Sequence, residues 1–194
     1  SNIHDMFAHA RQQERAVIFL DEVEALTLNR HSSGDSACYA GIIAQLLTEI
    51  QGFEDGEGNL MLIAATNKPW AIDPAFLRPG RFDEKIYVPL PDEESRRHMF
   101  DVKMTGVPTL DLDYAELARL TPHFSGADID HLCEKVKGIV IEALIAGEAR
   151  PDRITMEDYR QALQGIQRSV TSAEEQALTQ WRLDDGSSFS RRAV

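Results

Sequence analysis

The stretch Ala16-Val17-Ile18-Phe19-Leu20-Asp21-Glu22-Val23-Glu24 decides how the rest of the chain is read. Five apolar residues run straight into two adjacent carboxylates. A continuous apolar run of this length predicts a strand buried on both faces, as in a parallel sheet with helices on each side. Ligands of such sheets gather at the carboxyl ends of the strands, so Asp21 and Glu22 fall where a nucleotide or metal ion would bind. A strand that simply exits into acidic surface is the plainer alternative, and this stretch alone leaves both open.

Working outward, Ile3, Met6, Phe7 and Ala10 recur at helical spacing and predict a helix over 3–13. A helix directly ahead of a buried strand is the αβ half of a βαβ unit, whose matching strand would lie upstream of residue 1. Downstream, 29–40 is polar and rich in small residues and reads as a loop. A helix follows over 41–51, with Gly52 at its C-cap and an acidic, glycine-rich turn after it. Leu60-Met61-Leu62-Ile63-Ala64-Ala65-Thr66-Asn67 reads as a second buried strand that ends in a polar pair. A loop with prolines and arginines, 68–83, leads to a third short strand, Lys85-Ile86-Tyr87-Val88. Pro89-Leu90-Pro91 closes it and marks a boundary.

Beyond that boundary the pattern is helical. Helices are predicted over 93–104 and 113–120. Ser125 and Asp128 form a capping-box pattern ahead of a helix striped with Ile129, Leu132, Cys133, Val136, Val140 and Leu144. Thr155 to Asp158 repeats the pattern, and Ser172-Ala173-Glu174-Glu175 is read as the cap of a last helix bearing Leu178 and Trp181. The polar end from Asp184 reads as disordered.

The 194 residues allow one medium domain or two small ones, and 43% hydrophobic content suffices for a packed core. A net charge of -12 argues against non-specific binding to nucleic acid or anionic membranes. Cys38 and Cys133 are far apart and form no metal-type spacing, so both read as reduced thiols of a cytoplasmic protein. No apolar stretch approaches the roughly 20 residues that span a bilayer.

Three segments now supply polar groups at strand ends: Asp21-Glu22, Thr66-Asn67, and Arg78-Pro79-Gly80-Arg81. Hydrolysis of a nucleoside triphosphate needs these residue types. An Asp can hold Mg²⁺ directly or through water, a Glu can take a proton from the attacking water, an Asn can orient that water, and an Arg can offset charge on the phosphoryl group.

On these residues the chain resembles the C-terminal part of an ATPase module of the AAA family proper, the group of katanin, spastin and the valosin-containing unfoldases. The Walker B pattern matches 17–22. The second region of homology matches Ala65-Thr66-Asn67-Lys68-Pro69, Ile72-Asp73-Pro74-Ala75 and Leu77-Arg78-Pro79-Gly80-Arg81-Phe82-Asp83. The likeness extends over 1–170. It implies an α/β fold: part of a P-loop parallel-sheet subdomain over 1–91, a small all-helical lid subdomain over 92–170, and a C-terminal helix and tail over 171–194. It also implies ATP and Mg²⁺ as cofactors, with Asp21 on the magnesium side and Glu22 as catalytic base. Asn67 resembles the sensor-1 residue. Arg78 and Arg81 resemble arginine fingers acting on a neighbouring subunit's nucleotide, and Gly126 and Ala127 the small residues that lie against the base. The implied partners are further copies of the chain in a hexameric ring, protein substrates and adaptors.

The chain departs from the family in three respects. It carries no Gly-x-x-x-x-Gly-Lys loop, which in the family lies upstream of the Walker B strand and would here precede Ser1. Its strand is central in the family's sheet, between strands this chain contains. The second pore loop would fall near 31–41, without the arginines many relatives carry. Lys103 stands where some relatives place a nucleotide-contacting His, and that role is not carried over. Simpler readings accompany each site residue: Asn67 as a turn former, Arg78 and Arg81 as surface charges, Gly126 and Ala127 as a capped helix start. The sequence supports an ATP-driven remodelling ring, the stretch by itself being inactive. Its rivals are a non-catalytic assembly or adaptor module and a DNA-dependent loader.

Overall fold

The computed structural model describes residues 2–25, 36–52, 59–147, 149 and 152–184. Two compact units emerge, one built on the residues up to Tyr87 together with those from Ala177, the other on Val88–Gln176.

In the first unit, helix α1 (Asn2–Arg11) leads into strand β1 (Arg15–Leu20), helix α2 (Ser36–Gln51) and strand β2 (Asn59–Ala64). The strands pair in parallel, with Val17 opposite Met61, Phe19 opposite Ile63 and Leu20 opposite Ala64. Phe7, Ile18, Ile43, Leu46, Ile50 and Phe76 form the core, with Leu20, Leu60 and Leu62 packed against it. Between α1 and α2, the buried carboxylate of Glu49 lies 2.7 Å from His4 Nδ1 and 2.9 Å from Arg11 Nη1.

Three expectations are corrected here. The strand at 16–20 is buried on one face only among the described residues. Ile18 is inside, whereas Val17 and Phe19 are 63% and 59% exposed, and Met61 and Ile63 on β2 share that open face. The apolar run calls for a covering layer on both sides, and among the described residues α1 and α2 supply one. Lys85–Val88 is not a strand, because a strand exists through its ladder and no described strand lies beside it. Ile86 and Val88 are accordingly exposed. Tyr87 instead lies under the Arg182 guanidinium, 5.0 Å away, and the Lys85 ammonium lies 5.9 Å from the Trp181 ring. Lastly, 36–40 is the first part of α2 rather than loop, as the helix-forming Ala37 and Ala40 allow. The remainder of that expected loop, 29–35, and the acidic turn 54–57 lie outside the described residues. The tail from 185 does too, while Asp184 closes a helix.

The second unit follows its caps closely. Asp92 starts α3 (Glu93–Met104) by accepting from the Ser95 amide, and Asp113 starts α4 (Tyr114–Leu120) by accepting from Glu116. Full capping boxes open α5 (Gly126–Ile145) at Ser125 and α6 (Met156–Leu163) at Thr155. The α5 stripe is buried from Ile129 through Val140, but Leu144 is exposed. Phe100 meets Tyr159 edge-on at 5.9 Å. Buried Arg96 holds the end of α4 by donating to the Ala118 carbonyl, and donates also to Pro91. Among its described residues the regular elements are helices, with one isolated parallel bridge between Thr109 and Ile154. The cap of α7 (Ser172–Asp184) sits one residue earlier than expected. Thr171 Oγ1 accepts from the Glu174 amide, and Glu174 accepts from Thr171 in return.

Candidate functional site

The parallel register places the ends of β1 and β2 side by side. The Ala65 amide donates to the Leu20 carbonyl (2.8 Å), and the Val23 amide donates back to Ala65 (3.2 Å). This two-way stitch carries the acid pair Asp21-Glu22 next to the Thr66-Asn67 pair at one edge of the sheet. Val23 beneath it is buried, while Asp21, Glu22 and Asn67 are exposed. Glu24, which the sequence did not single out, is buried as well.

Glu22 adopts a left-handed backbone, with φ of +50°. A non-glycine residue there costs about 1–3 kcal/mol and persists only where its surroundings hold it. Here the Glu22 amide donates to Asp21 Oδ1 (3.0 Å) and its carbonyl accepts from Ala25 (2.8 Å). Such held strain is a feature of functional sites and fits a side chain that must be aimed.

The donor set is consistent with a magnesium ion. Asp21 commits one carboxylate oxygen to the Glu22 amide, and its other oxygen has no protein partner among the described residues. No group of three or more His, Cys, Asp or Glu converges on a metal position among the described residues. Mg²⁺ is commonly held by one or two carboxylates with water and phosphate as its other ligands, and Asp21 could serve as such a carboxylate. Beside it, Thr66 Oγ1 accepts from the Lys68 amide and shapes the turn that presents Asn67.

The arginine loop is built on two short turns, Pro69–Ala71 and Pro74–Leu77, the second capped by Asp73 accepting from Ala75. Arg78 is exposed and extended. Arg81 is half-buried and donates through Nη1 to the Ala75 carbonyl. Neither makes a hydrogen bond or ion pair to Asp21, Glu22 or Asn67 among the described residues. The sequence offered no hint of the Arg81–Ala75 contact, since a backbone carbonyl leaves no mark in residue type.

Gly126 and Ala127 belong to the second unit and open α5. A Cβ at Gly126 would stand 3.2 Å from Met99 Cε, the far end of a flexible side chain on α3. Asp128 does more than cap. Its buried carboxylate accepts from the Ser125 amide (2.8 Å) and hydroxyl (2.9 Å), and from the Ser169 amide (2.9 Å). Burial pushes its pKa up, but these donors outweigh that and hold it below the ordinary aspartate value. Lys103 pairs with Asp130 at 2.7 Å. His98 is exposed, and His123 lies 3.2 Å from Glu175.

A parallel strand pair with an acid pair and an asparagine at its carboxyl edge defines an α/β protein of the kind that binds ligands at strand ends. Residues 1–90 match the model of the ATPase family associated with various cellular activities (AAA). The chain is 37% identical over 183 residues to a Cell division cycle protein 48 homolog of Archaeoglobus fulgidus, covering 89% of this chain and 25% of that protein. It is 39% identical over 188 residues to the ATP-dependent zinc metalloprotease FtsH of Caulobacter vibrioides, covering 92% and 29%. With FtsH of Buchnera aphidicola the identity is 38% over 184 residues, covering 91% and 29%. The chain carries a module of the AAA family. It spans between 25% and 29% of the length of these relatives.

Proposed function

We propose that the chain is part of an ATP-hydrolysing AAA+ ring motor that remodels or unfolds protein substrates. The observation that carries the reading is the stitched edge, with Asp21 and Glu22 beside Asn67 and the Glu22 backbone held in the left-handed region. In this reading Asp21 is the residue that would hold Mg²⁺, directly or through water, and the ion when bound would supply charge against the phosphates. Glu22 takes the proton from the attacking water, which Asn67 orients. Guanidinium charge from the Arg78–Arg81 turn of a neighbouring copy faces the transferring phosphoryl group, which calls for a closed ring, a hexamer by resemblance. The helical unit serves as the lid, with Gly126 and Ala127 against the base. Protein substrates and adaptors are the partners, and the setting is cytoplasmic. No described helix is long and apolar enough to cross a membrane.

Phosphate binding needs backbone N–H groups and a Lys of the Gly-x-x-x-x-Gly-Lys type, and none occurs in these 194 residues. The 194-residue chain alone therefore should not turn over ATP. A second reading is an assembly or adaptor module without catalysis. Glu22→Gln in the full-length protein separates the two. The expected outcome is retained ATP binding with turnover lowered about 10²–10⁴-fold, the typical worth of a general base. Unchanged turnover in the variant overturns the assignment, and an inactive wild type favours the adaptor.

A further inference from the structure

The two arginines of the Arg78–Arg81 turn are not held alike, and we infer that they divide the work: Arg78 is the group offered to the neighbouring subunit's phosphate, and Arg81 is a positioning residue that braces the turn. The inference rests on the ring-ATPase reading above and asks which guanidinium acts.

Arg78 follows the turn Pro74–Leu77 in extended conformation, with φ of -76° and ψ of 150°. It is exposed and has no hydrogen-bond or ion-pair partner among the described residues. All five of its donors are available in a planar fork, the geometry that suits a phosphoryl group. Arg81 points back. Its Nη1 donates to the Ala75 carbonyl, six residues earlier, and its side chain is half-buried.

The surrounding bonds show what Arg81 closes. The Phe82 amide donates to the Phe76 carbonyl at 3.2 Å, and the two rings lie 6.3 Å apart, with Phe76 fully buried. Gly80 turns the chain with a φ of +82°, and its amide donates to Asp83 Oδ1 at 2.8 Å. Arg81 thus ties the far side of the loop to the capped turn at Asp73-Pro74-Ala75. Arg78 stands at the open apex between the two tied ends. A flexible apex would forfeit the alignment that transition-state charge stabilisation needs, and a braced one keeps it.

The two roles respond differently to lysine. Bracing a carbonyl takes one donor, which a Lys Nζ supplies, whereas a phosphoryl clamp needs the fork. The test uses the full-length protein with Arg78→Ala, Arg78→Lys, Arg81→Ala and Arg81→Lys, reading kcat and amide exchange at Gly80 and Phe82. Arg78→Ala should lose about 10³-fold or more in kcat, as for an arginine finger, and Arg78→Lys should recover little of it. Arg81→Ala should lose about 10²-fold, the cost of a misplaced group, with faster exchange at Gly80 and Phe82. Arg81→Lys should regain about tenfold of that loss and slow the exchange again. Arg81→Lys no better than Arg81→Ala overturns the inference, as does a loss confined to Arg81. If neither alanine variant slows turnover, the ring-ATPase reading itself fails, and the inference falls with it.

Discussion

Removing the carboxylate of Asp128 tests the energetics of the helical unit most directly. Asp128→Ala deletes three hydrogen bonds at once, from the Ser125 amide, the Ser125 hydroxyl and the Ser169 amide. The Ser125 hydroxyl can turn to water or to Ser169 Oγ, 3.0 Å away, so its loss costs little. The two amides lose a charged acceptor, each worth about 1.5–3 kcal/mol when buried and less where water enters. With Ser125 half-buried, a total of about 3 kcal/mol is expected. Asp128→Asn keeps the shape and can still accept one bond, so about half that loss should follow. The folded-state pKa lies below the ordinary aspartate value of 3.8, so near that pH the unfolded chain binds the extra proton. The stabilisation is therefore complete well above pH 3.8 and fades as pH falls through that value toward the lower folded pKa. Urea unfolding of the 194-residue chain by circular dichroism, at pH 7 and across the acid range, reads both effects. An Asp128→Ala variant within about 0.5 kcal/mol of wild type at pH 7 would refute the reasoning, because three bonds to a buried carboxylate cannot be lost so cheaply. So would an unchanged acid dependence in Asp128→Asn.

Two further outcomes bear on the first unit. Ile18→Ala should cost about 2–5 kcal/mol, whereas Phe19→Ala on the open face should cost under about 1 kcal/mol in this chain, both read by urea unfolding. Equal costs would show that the face carrying Phe19 is covered. For Glu49, burial raises the pKa, but His4 and Arg11 outweigh it and hold it below the ordinary 4.5. Its contribution is accordingly present above pH 4.5 and lost as pH falls below that value, where hydrogen exchange of α1 amides should quicken. Glu49→Gln should remove that acid dependence and quicken exchange at neutral pH. An unaltered pH profile would contradict it.

Sequence by itself determined the order of elements and most of their ends. Caps and turns are local chemistry: Asp92, Asp113, Ser125 and Thr155 each meet an amide three residues on, so their helices begin where the letters say. The acid pair and Asn67 were legible as strand exits for the same reason, since an apolar run that stops must stop at a sheet edge. Tertiary structure decided everything that depends on a neighbour. Lys85–Val88 has the composition of a strand, but no strand among the described residues lies beside it to form a ladder, so it is not one. Phe19 and Val17 are as apolar as Ile18, yet only Ile18 has α1 and α2 to pack against. Arg78 and Arg81 look equivalent as letters. The Ala75 carbonyl distinguishes them, because a backbone acceptor has no residue code and is found only where the folded chain puts it.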